Sequence, residues 1–257
     1  MQNNTFSTLF VGQNLIKLTE VDSTNNFMKL MVSNSEPLPE GTVIMADHQF
    51  AGRGQQGNTW FADPGANLTF SLFLKPVFLS SIQQFLLNIA ISIGVCNVLK
   101  NILGSSIKIK WPNDFYYEDK KIGGMLVENT ISGTQYKTAI IGIGINVNQI
   151  NFDETIKDKA TSILQILKKE VRLDEILPMI CSSIEAKYIF LRAGGYSSLR
   201  EEYLKSLYLY KEDALYLKDD KVFEGQIVNV TEQGLLVLLT NDLETYHNFK
   251  EIAFLNR

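Results

Sequence analysis

Short connections between strands are the sequence feature that most constrains how this chain can fold. Apolar alternation predicts four strands at 107–110, 115–117, 122–128 and 136–147, joined by only a few residues each. Parallel neighbours in a sheet need a crossover of about a dozen residues or more, whereas antiparallel neighbours need only a tight turn. We therefore expect an α+β fold with a mixed, largely antiparallel sheet, and we exclude a doubly wound parallel one.

The first hundred residues predict the rest of this sheet and the helices that back it. Further strands are expected at 15–19, 42–47 and 68–75, and the last of these alternates as a half-buried strand does. The Asp-Ser-Thr stretch at 22–24 can begin a helix, because short polar side chains satisfy the free N–H groups of a first turn. Residues 82–103 carry apolar side chains at helical spacing and predict the central helix.

The second half of the chain changes character near residue 210. Helices are predicted at about 161–169, 174–193 and 198–207, the last with Ser198 and Glu201 spaced as a capping box. Short strands separated by turn residues follow and predict a small β-barrel. We expect a catalytic or binding domain at 1–209 and a small module at 210–257.

The charge, the cysteines and the apolar runs of the chain limit which partners and which compartment we expect for it. The 28 acidic and 24 basic residues give a net charge of −4, so no positive field attracts nucleic acid. Cys96 and Cys181 lack metal-ligand spacing and are interpreted as core residues in a reducing compartment. The N-terminus has no secretory pattern, and the apolar run at 85–99 is interrupted and too short for a bilayer. We expect a cytoplasmic protein without a membrane partner.

A glycine-rich segment, GRGQQG at 52–57, matches the dinucleotide-binding pattern in letters alone. That pattern requires a helix directly after its third glycine, but NTWFADPGANLTF follows here and breaks any helix. The flanking glycines still allow backbone amides to approach an anion, and Arg53 can pair with a carboxylate or phosphate. The alternative is a flexible surface loop with one solvated arginine.

Two more clusters carry polar or small residues at strand ends. Lys110–Asp114 forms a proline-containing turn whose Asn113 and Asp114 oxygens suit Mg²⁺, although an ordinary Asn-Asp turn explains them too. The segment KIGG at 121–124 places Lys121 before two glycines in a predicted strand. GIGIN at 142–146 likewise places two glycines in the neighbouring predicted strand. Strand glycines favour close passage of a ligand, or relieve a packing contact.

Together these segments resemble the biotin protein ligases, which activate biotin with ATP and attach it to a lysine of a carrier domain. The resemblance covers the chain from about residue 15 to its end and rests on six ordered segments: DSTN at 22–25, QFAGRGQQGNTW at 49–60, GANL at 65–68, KWPND at 110–114, KIGGMLVE at 121–128 and GIGIN at 142–146. It implies a class II synthetase-like catalytic domain with an SH3-like C-terminal barrel. It further implies ATP and Mg²⁺ as cofactors, biotin as substrate, a biotin carboxyl carrier protein as partner, and a homodimer as one assembly.

The resemblance also implies roles for individual residues. Those implied to bind biotin or to close over it are Ser23, Thr24, Asn25, Gln49, Gly52, Arg53, Gly54, Gln55, Lys121, Gly124 and Gly142. Trp60, Asn113 and Asn146 are implied on the nucleotide side. Lys121 is implied to reach the biotin carboxylate and the α-phosphate, with Arg53 assisting, and Asp114 to contact the metal or accept a proton.

The chain departs from the family pattern at two places. Family members commonly carry a basic residue where this chain has Gln55, which leaves Arg53 as the expected cation of the loop. The DNA-binding members begin with a helix-turn-helix domain, but only about fourteen residues precede the first predicted strand here, so we expect a ligase that is not a repressor.

Two alternatives remain open at this point. A lipoate-type ligase shares the adenylation chemistry, and a non-catalytic binding module could use the small barrel as a protein or RNA reader. Hydrolase and zinc chemistry are disfavoured, because the chain has only His48 and His247, no serine elbow and no cysteine pair. His48 is interpreted as a turn residue rather than as a base.

Overall fold

A computed structural model describes residues 6–33 and 37–255 of the chain. The N-terminal stretch searched for a secretory pattern therefore lies partly outside the described residues. Seven strands form the main sheet in the order β1-β2-β3-β7-β6-β5-β4. Their bounds are β1 Leu15–Val21, β2 Val43–Gln49, β3 Leu68–Leu74, β4 Ile107–Lys110, β5 Asp114–Tyr117, β6 Lys120–Ser132 and β7 Gln135–Ile145.

The pairing of these strands confirms the mixed sheet. Strands β1 and β2 pair in parallel, since helix α1 (Thr24–Ser33) lies between them in sequence and supplies the crossover. The other described neighbours of this sheet pair antiparallel, and β4 to β7 follow one another through short turns as expected.

Helix α2 (Gln84–Leu103) is the core element behind the sheet. The segment Ser81–Leu103 is long and apolar enough to cross a membrane, but 72% of its most apolar window is buried inside the protein. It packs on helix α4 (Leu173–Arg192), where a Cβ added to Gly94 would lie 2.9 Å from the Cα of Ile184. Only a residue without a side chain allows this approach, so α2 is a core helix. Ile82, with which the predicted helix begins, is instead exposed in the turn that precedes α2.

Strand β3 differs from the half-buried strand predicted for it, because all seven of its residues are buried. One face packs in the main core under α2, whereas Phe73 on the other face packs with Met28 of α1. A central strand with a helix on each side has no solvent face, and alternation of polar and apolar residues does not reveal that second cover.

The remaining helices are α3 (Ile163–Leu167) and α5 (Tyr196–Ser206), which complete the helical layer with α4. The capping box proposed at Ser198 is wrong, because α5 begins at Tyr196 after Gly195 and Ser198 lies inside its first turn. The Ser198 side chain therefore cannot cap the helix, since it is already part of it.

The C-terminal module is a five-stranded antiparallel sheet in the order β11-β10-β9-β8-β12. Its strands are β8 Asp213–Lys218, β9 Lys221–Val230, β10 Leu236–Thr240, β11 Leu243–His247 and β12 Ala253–Phe254. The described ladder leaves β11 and β12 as its two edges, and Trp111 of the main domain donates from Nε1 to the carbonyl of Gly234 at 3.0 Å. The boundary between 209 and 210 stays a prediction.

Candidate functional site

A cavity opens on the face of the main sheet opposite α2. The start of α1, the end of β2, the glycine-rich loop and the middle of β6 and β7 surround it. Its lining includes the following residues singled out from the sequence: Ser23, Thr24, Asn25, Gln49, Arg53, Gly54, Gln55, Trp60, Asp114, Lys121, Gly124 and Gly142. Segments more than a hundred residues apart in sequence thus meet at one place.

The floor of the cavity is a network of neutral polar groups at the start of α1. Thr24 donates from its backbone N–H and its hydroxyl to Gln49 Oε1, at 2.8 and 3.0 Å. The hydroxyl of Ser71, on β3, lies 2.7 Å from Thr24 Oγ1 and 2.5 Å from Asn25 Oδ1. Ser23, Thr24, Asn25 and Ser71 are all buried, so this end of the cavity offers fixed hydrogen-bonding groups without net charge.

Glycines of β7 create the space above this floor. A Cβ at Gly142 would lie 2.6 Å from Asn25 Oδ1, and one at Gly144 would lie 2.5 Å from the indole of Trp60. Real Cβ atoms do not approach other atoms so closely, so these two positions must lack a side chain for Asn25 and Trp60 to take their places. The ligand-passage interpretation of GIGIN agrees with this geometry, and Gly144, a motif glycine to which the sequence assigned no role of its own, joins the site.

Lys121 and Asp114 form an ion pair at the opposite end of the cavity. Lys121 Nζ lies 2.7 Å from Asp114 Oδ2, and each side chain is about one third exposed. A Cβ at Gly124 would lie 2.6 Å from Asp114 Oδ1, so this glycine gives the carboxylate room. The two side chains meet above Gly124, which is the partner of Asp114 on β6 and at which a Cβ would also lie 3.3 Å from Lys121 Nζ.

The glycine-rich loop closes one side of the cavity as a small hairpin. Gly54 donates to the carbonyl of Asn58 at 2.7 Å, and Trp60 donates to the carbonyl of Gly52 at 2.9 Å. Within the part of the chain that the structure describes, Arg53 Nε and Trp60 Nε1 are buried donors without a hydrogen-bond partner. Two unused donors beside a cavity are available to a ligand that brings acceptors.

The guanidinium of Arg53 also pairs with a carboxylate. Arg53 Nη2 lies 2.7 Å from Oε2 of Glu128, on β6. Burial alone raises the pKa of Glu128, but hydrogen bonds from Lys29, Asn25 and Arg53 outweigh that effect and lower the pKa below its usual value. Glu128 is therefore ionised at neutral pH.

Gln55 faces the site rather than solvent. Its Nε2 donates to Asn113 Oδ1 at 2.8 Å, and Asn113 Nδ2 in turn donates to Asn88 Oδ1 of α2 at 3.1 Å. Asn113 lines a neighbouring recess between α2 and the C-terminal module rather than the cavity itself. Gln55 borders both spaces and so connects them.

Besides Asn113, three residues singled out from the sequence lie away from the cavity wall. Asn146 donates from Nδ2 to the carbonyl of Thr161 at 3.0 Å, and Gly52 lines a recess behind the loop. His48 is not in a turn but in β2, where its Nδ1 lies 3.2 Å from Oε1 of Glu20. Successive side chains of a strand point to opposite faces of the sheet, so a difference of one position along the strand determines whether a side chain reaches the cavity.

Sequence reasoning missed several residues of the site. Ser71 and Glu128 bind the residues of α1, and Phe249 brings the C-terminal module to the cavity. Ser71 lies two residues from Thr69 on β3, and Glu128 lies two residues from Leu126 on β6. Residues two apart on a strand lie on the same face, so the alternation along each strand could have indicated that Ser71 and Glu128 lie on the cavity side. Phe249 gives no local signal, because its place depends on how the two domains pack.

The geometry of this cavity agrees with what a comparison with known families finds. The profile of the "Biotin/lipoate A/B protein ligase family" matches residues 17–146, about half of the chain and nearly all of the cavity. The chain belongs to this family. Every described segment that lines the cavity, apart from Phe249, lies within that match.

Individual members of the biotin/lipoate ligase family extend the similarity. The "Bifunctional ligase/repressor BirA" of Salmonella typhimurium is 32% identical over 226 residues, which cover 88% of this chain and 69% of the relative. The protein of that name from Bacillus subtilis is 29% identical over 242 residues, 90% of this chain and 71% of the relative. A structure of the biotin protein ligase from Aquifex aeolicus, in complex with biotin and ATP, superimposes with a TM-score of 0.76 at 29% identity and covers 95% of this chain and 99% of that one. The expected ligase fold, including the C-terminal module, is confirmed.

Proposed function

We propose that this chain activates biotin with ATP to biotinyl-5′-AMP and transfers the biotinyl group to a lysine of a biotin carboxyl carrier protein. The observation that carries the proposal is the polarity of the cavity, which presents neutral hydrogen-bonding groups at the α1 end and the ammonium of Lys121, paired with Asp114, at the other. Biotin has the matching polarity, with a neutral ureido ring at one end and a carboxylate at the other. The Aquifex aeolicus structure bears the name of a biotin protein ligase and contains biotin and ATP, which agrees with this substrate.

In the first step, the biotin carboxylate attacks the α-phosphorus of ATP and pyrophosphate leaves. The carboxylate is already ionised at neutral pH, so the protein has to supply position and charge rather than a base. Lys121 and Arg53 are the cations beside the cavity, and we assign them to the negative charge that accumulates at the α-phosphate. Trp60, with its unpartnered indole N–H, and Asn113, held by Gln55, are assigned to the nucleotide side.

Asp114 is the residue that fits a magnesium ion. Mg²⁺ keeps several waters and is often held by one carboxylate together with substrate phosphates, so a single aspartate suffices. No group of three or more potential ligands occurs among the described residues, and this agrees with an ion held mainly through the nucleotide. When bound, Mg²⁺ would neutralise phosphate charge.

In the second step, the amine of a carrier lysine attacks the acyl carbonyl of the adenylate, and AMP leaves. Asp114, about one third exposed at the cavity, is the candidate to accept a proton from that amine. Biotin protein ligases act on carrier domains of carboxylases, and the carrier of this chain is part of the proposal. A homodimer and a cytoplasmic location stay predictions from the sequence.

The test is exchange of labelled pyrophosphate into ATP, measured with biotin and with lipoate. Biotin should support exchange and lipoate should not, since a polar floor built for a ureido ring is left unpaired by a dithiolane ring. A mass spectrum of a carrier domain incubated with biotin, MgATP and the protein should then show one added biotinyl group. Equal exchange with lipoate would contradict the biotin assignment, and an absence of any exchange would favour a binding module.

A further inference from the structure

We propose that Glu128 is a positioning residue that fastens the glycine-rich loop to helix α1 and thereby holds the loop closed over the biotin cavity. The inference deepens the proposed function and rests on it for its kinetic consequences. The motif KIGGMLVE contains Glu128, but neither adenylation nor transfer uses its carboxylate directly.

Three donors from two other elements meet on this one carboxylate. Arg53 Nη2 of the loop and Asn25 Nδ2 of α1 share Oε2, at 2.7 and 2.9 Å. Lys29 Nζ, one helical turn further along α1, lies 2.7 Å from Oε1. Glu128 is therefore the place where strand β6, the loop and α1 are connected by charge-assisted hydrogen bonds, which are the strong ones.

The position of Glu128 separates its role from that of a reacting group. It lines the recess behind the loop, together with residues 51–54 and 57–59 of the loop. Lys121 and Asp114 line the cavity in front of the loop. The carboxylate thus holds Arg53 Nη2 from the recess behind the loop, while Arg53 Nε stays without a hydrogen-bond partner among the described residues.

The same carboxylate also holds the floor of the cavity. Asn25 donates a hydrogen bond to Glu128 and accepts one from the hydroxyl of Ser71. It also lies against Gly142, so it has little freedom to move. Anything that orders Asn25 orders the carboxylate, and through it Arg53. Occupation of the biotin end of the cavity is in this way connected to closure of the loop.

A first experiment measures the loop in the ligand-free protein by trypsin cleavage after Arg53. In Glu128→Gln the neutral amide no longer holds the guanidinium, and cleavage after Arg53 should become about tenfold faster, since proteolysis follows the population of the open form. Lys29→Gln is the matched control, because it removes another donor from the same carboxylate but leaves the loop contact in place. Its cleavage rate should stay near that of the native protein.

The two variants and the native protein must unfold at similar temperatures for this comparison, which thermal melting checks. Glu128→Asp keeps the charge on a shorter side chain and should recover most of the protection of the loop. Equal cleavage of the native protein and Glu128→Gln would overturn the proposal. Equally fast cleavage of Lys29→Gln would overturn it too, because the effect would then come from any loss of charge pairing at β6.

A second experiment measures pyrophosphate exchange at varied biotin concentrations. If only a fraction of free Glu128→Gln has a closed loop, the apparent KM for biotin should rise about tenfold while kcat changes less than about twofold. A fall in kcat with an unchanged KM would make Glu128 part of the chemistry and would overturn a positioning role. Exchange absent from the native protein would remove the proposed function, whereas the trypsin experiment would still decide whether Glu128 fastens the loop.

Discussion

The two faces of the main sheet have opposite chemistry, although they are made by the same strands. On β7, Ile141, Ile143 and Ile145 pack into the core under α2, and Gly142 and Gly144 alternate with them toward the cavity. On β3, Phe70 and Leu72 belong to the core face and Ser71 to the cavity face. One face is filled with large apolar side chains, and the other, where it borders the cavity, is made of residues that leave space.

The comparison explains how a well-packed protein keeps a polar cavity next to its core. The core face supplies burial of apolar area and so stabilises the fold, whereas the cavity face contributes hydrogen-bonding groups and volume for a ligand. Substitutions at neighbouring residues of one strand should therefore show their effects in different measurements. Substitutions on the core face should affect stability, and those on the cavity face should affect binding or catalysis.

Lys121→Ala should give the largest effect on activity, and it should leave the stability of the fold unchanged. Loss of the ammonium beside the cavity should slow pyrophosphate exchange by about 100-fold or more, which is on the order of 3 kcal/mol, because its charge matters most at the transition state. Lys120→Ala removes an exposed neighbouring lysine and should exchange at the native rate. Near-native kcat in Lys121→Ala would reduce Lys121 to a strand residue.

Ile141→Ala should give the corresponding effect on the core face. Ile141 is fully buried, and truncation of such a side chain costs about 2–5 kcal/mol of unfolding free energy through lost burial and the cavity left behind. Denaturant unfolding measures the loss, and biotin KM in the folded fraction should stay within about twofold. A large change in KM would show that the two faces are not independent.

Gly142→Ala, one residue further along β7, should show the reverse pattern. The new Cβ would lie 2.6 Å from Asn25 Oδ1, so Asn25 must move and lose its place between Ser71 and Glu128. We expect biotin KM to rise about tenfold, equal to about 1.4 kcal/mol, with a smaller loss of unfolding free energy. An unchanged KM would mean that Asn25 does not contact biotin.

Gln55→Arg should give the smallest effect and sharpen the cavity side of the comparison. Gln55 reaches Asn113 by a neutral hydrogen bond, and a guanidinium there could make a charge-assisted contact with the adenylate. We expect the dissociation rate of biotinyl-5′-AMP, measured by stopped flow, to fall about fivefold. This corresponds to roughly 1 kcal/mol of additional binding free energy. Gln135→Arg adds the same charge at the exposed, distant start of β7 and should not change release. Equal release from Gln55→Arg and the native protein would rule out this role for position 55.

Most secondary structure followed from local patterns, and the misses have physical causes. Apolar alternation identified β3, but whether its second face is covered depends on α1, which lies more than thirty residues earlier. Ser198 and Glu201 have the spacing of a capping box, yet packing of α5 extends the helix to Tyr196. Local sequence thus predicted which elements exist better than where they begin or what covers them.

The candidate site divides in the same way. Arg53 and Lys121 could be singled out from the residues themselves, because each lies beside glycines in a loop or at a strand end, whereas Thr24 and Asn25 were assigned to the site only through the resemblance to the biotin protein ligases. Glu128 could not be assigned a role, since that role depends on its hydrogen bonds with Arg53 and Asn25, which lie 75 and 103 positions away in the sequence. Residue type and strand period are local properties that a sequence carries openly. Pairing across such distances, the direction of Asn146 away from the cavity and the arrival of Phe249 beside it arise from the packing of whole elements, in which many weak contacts are satisfied together.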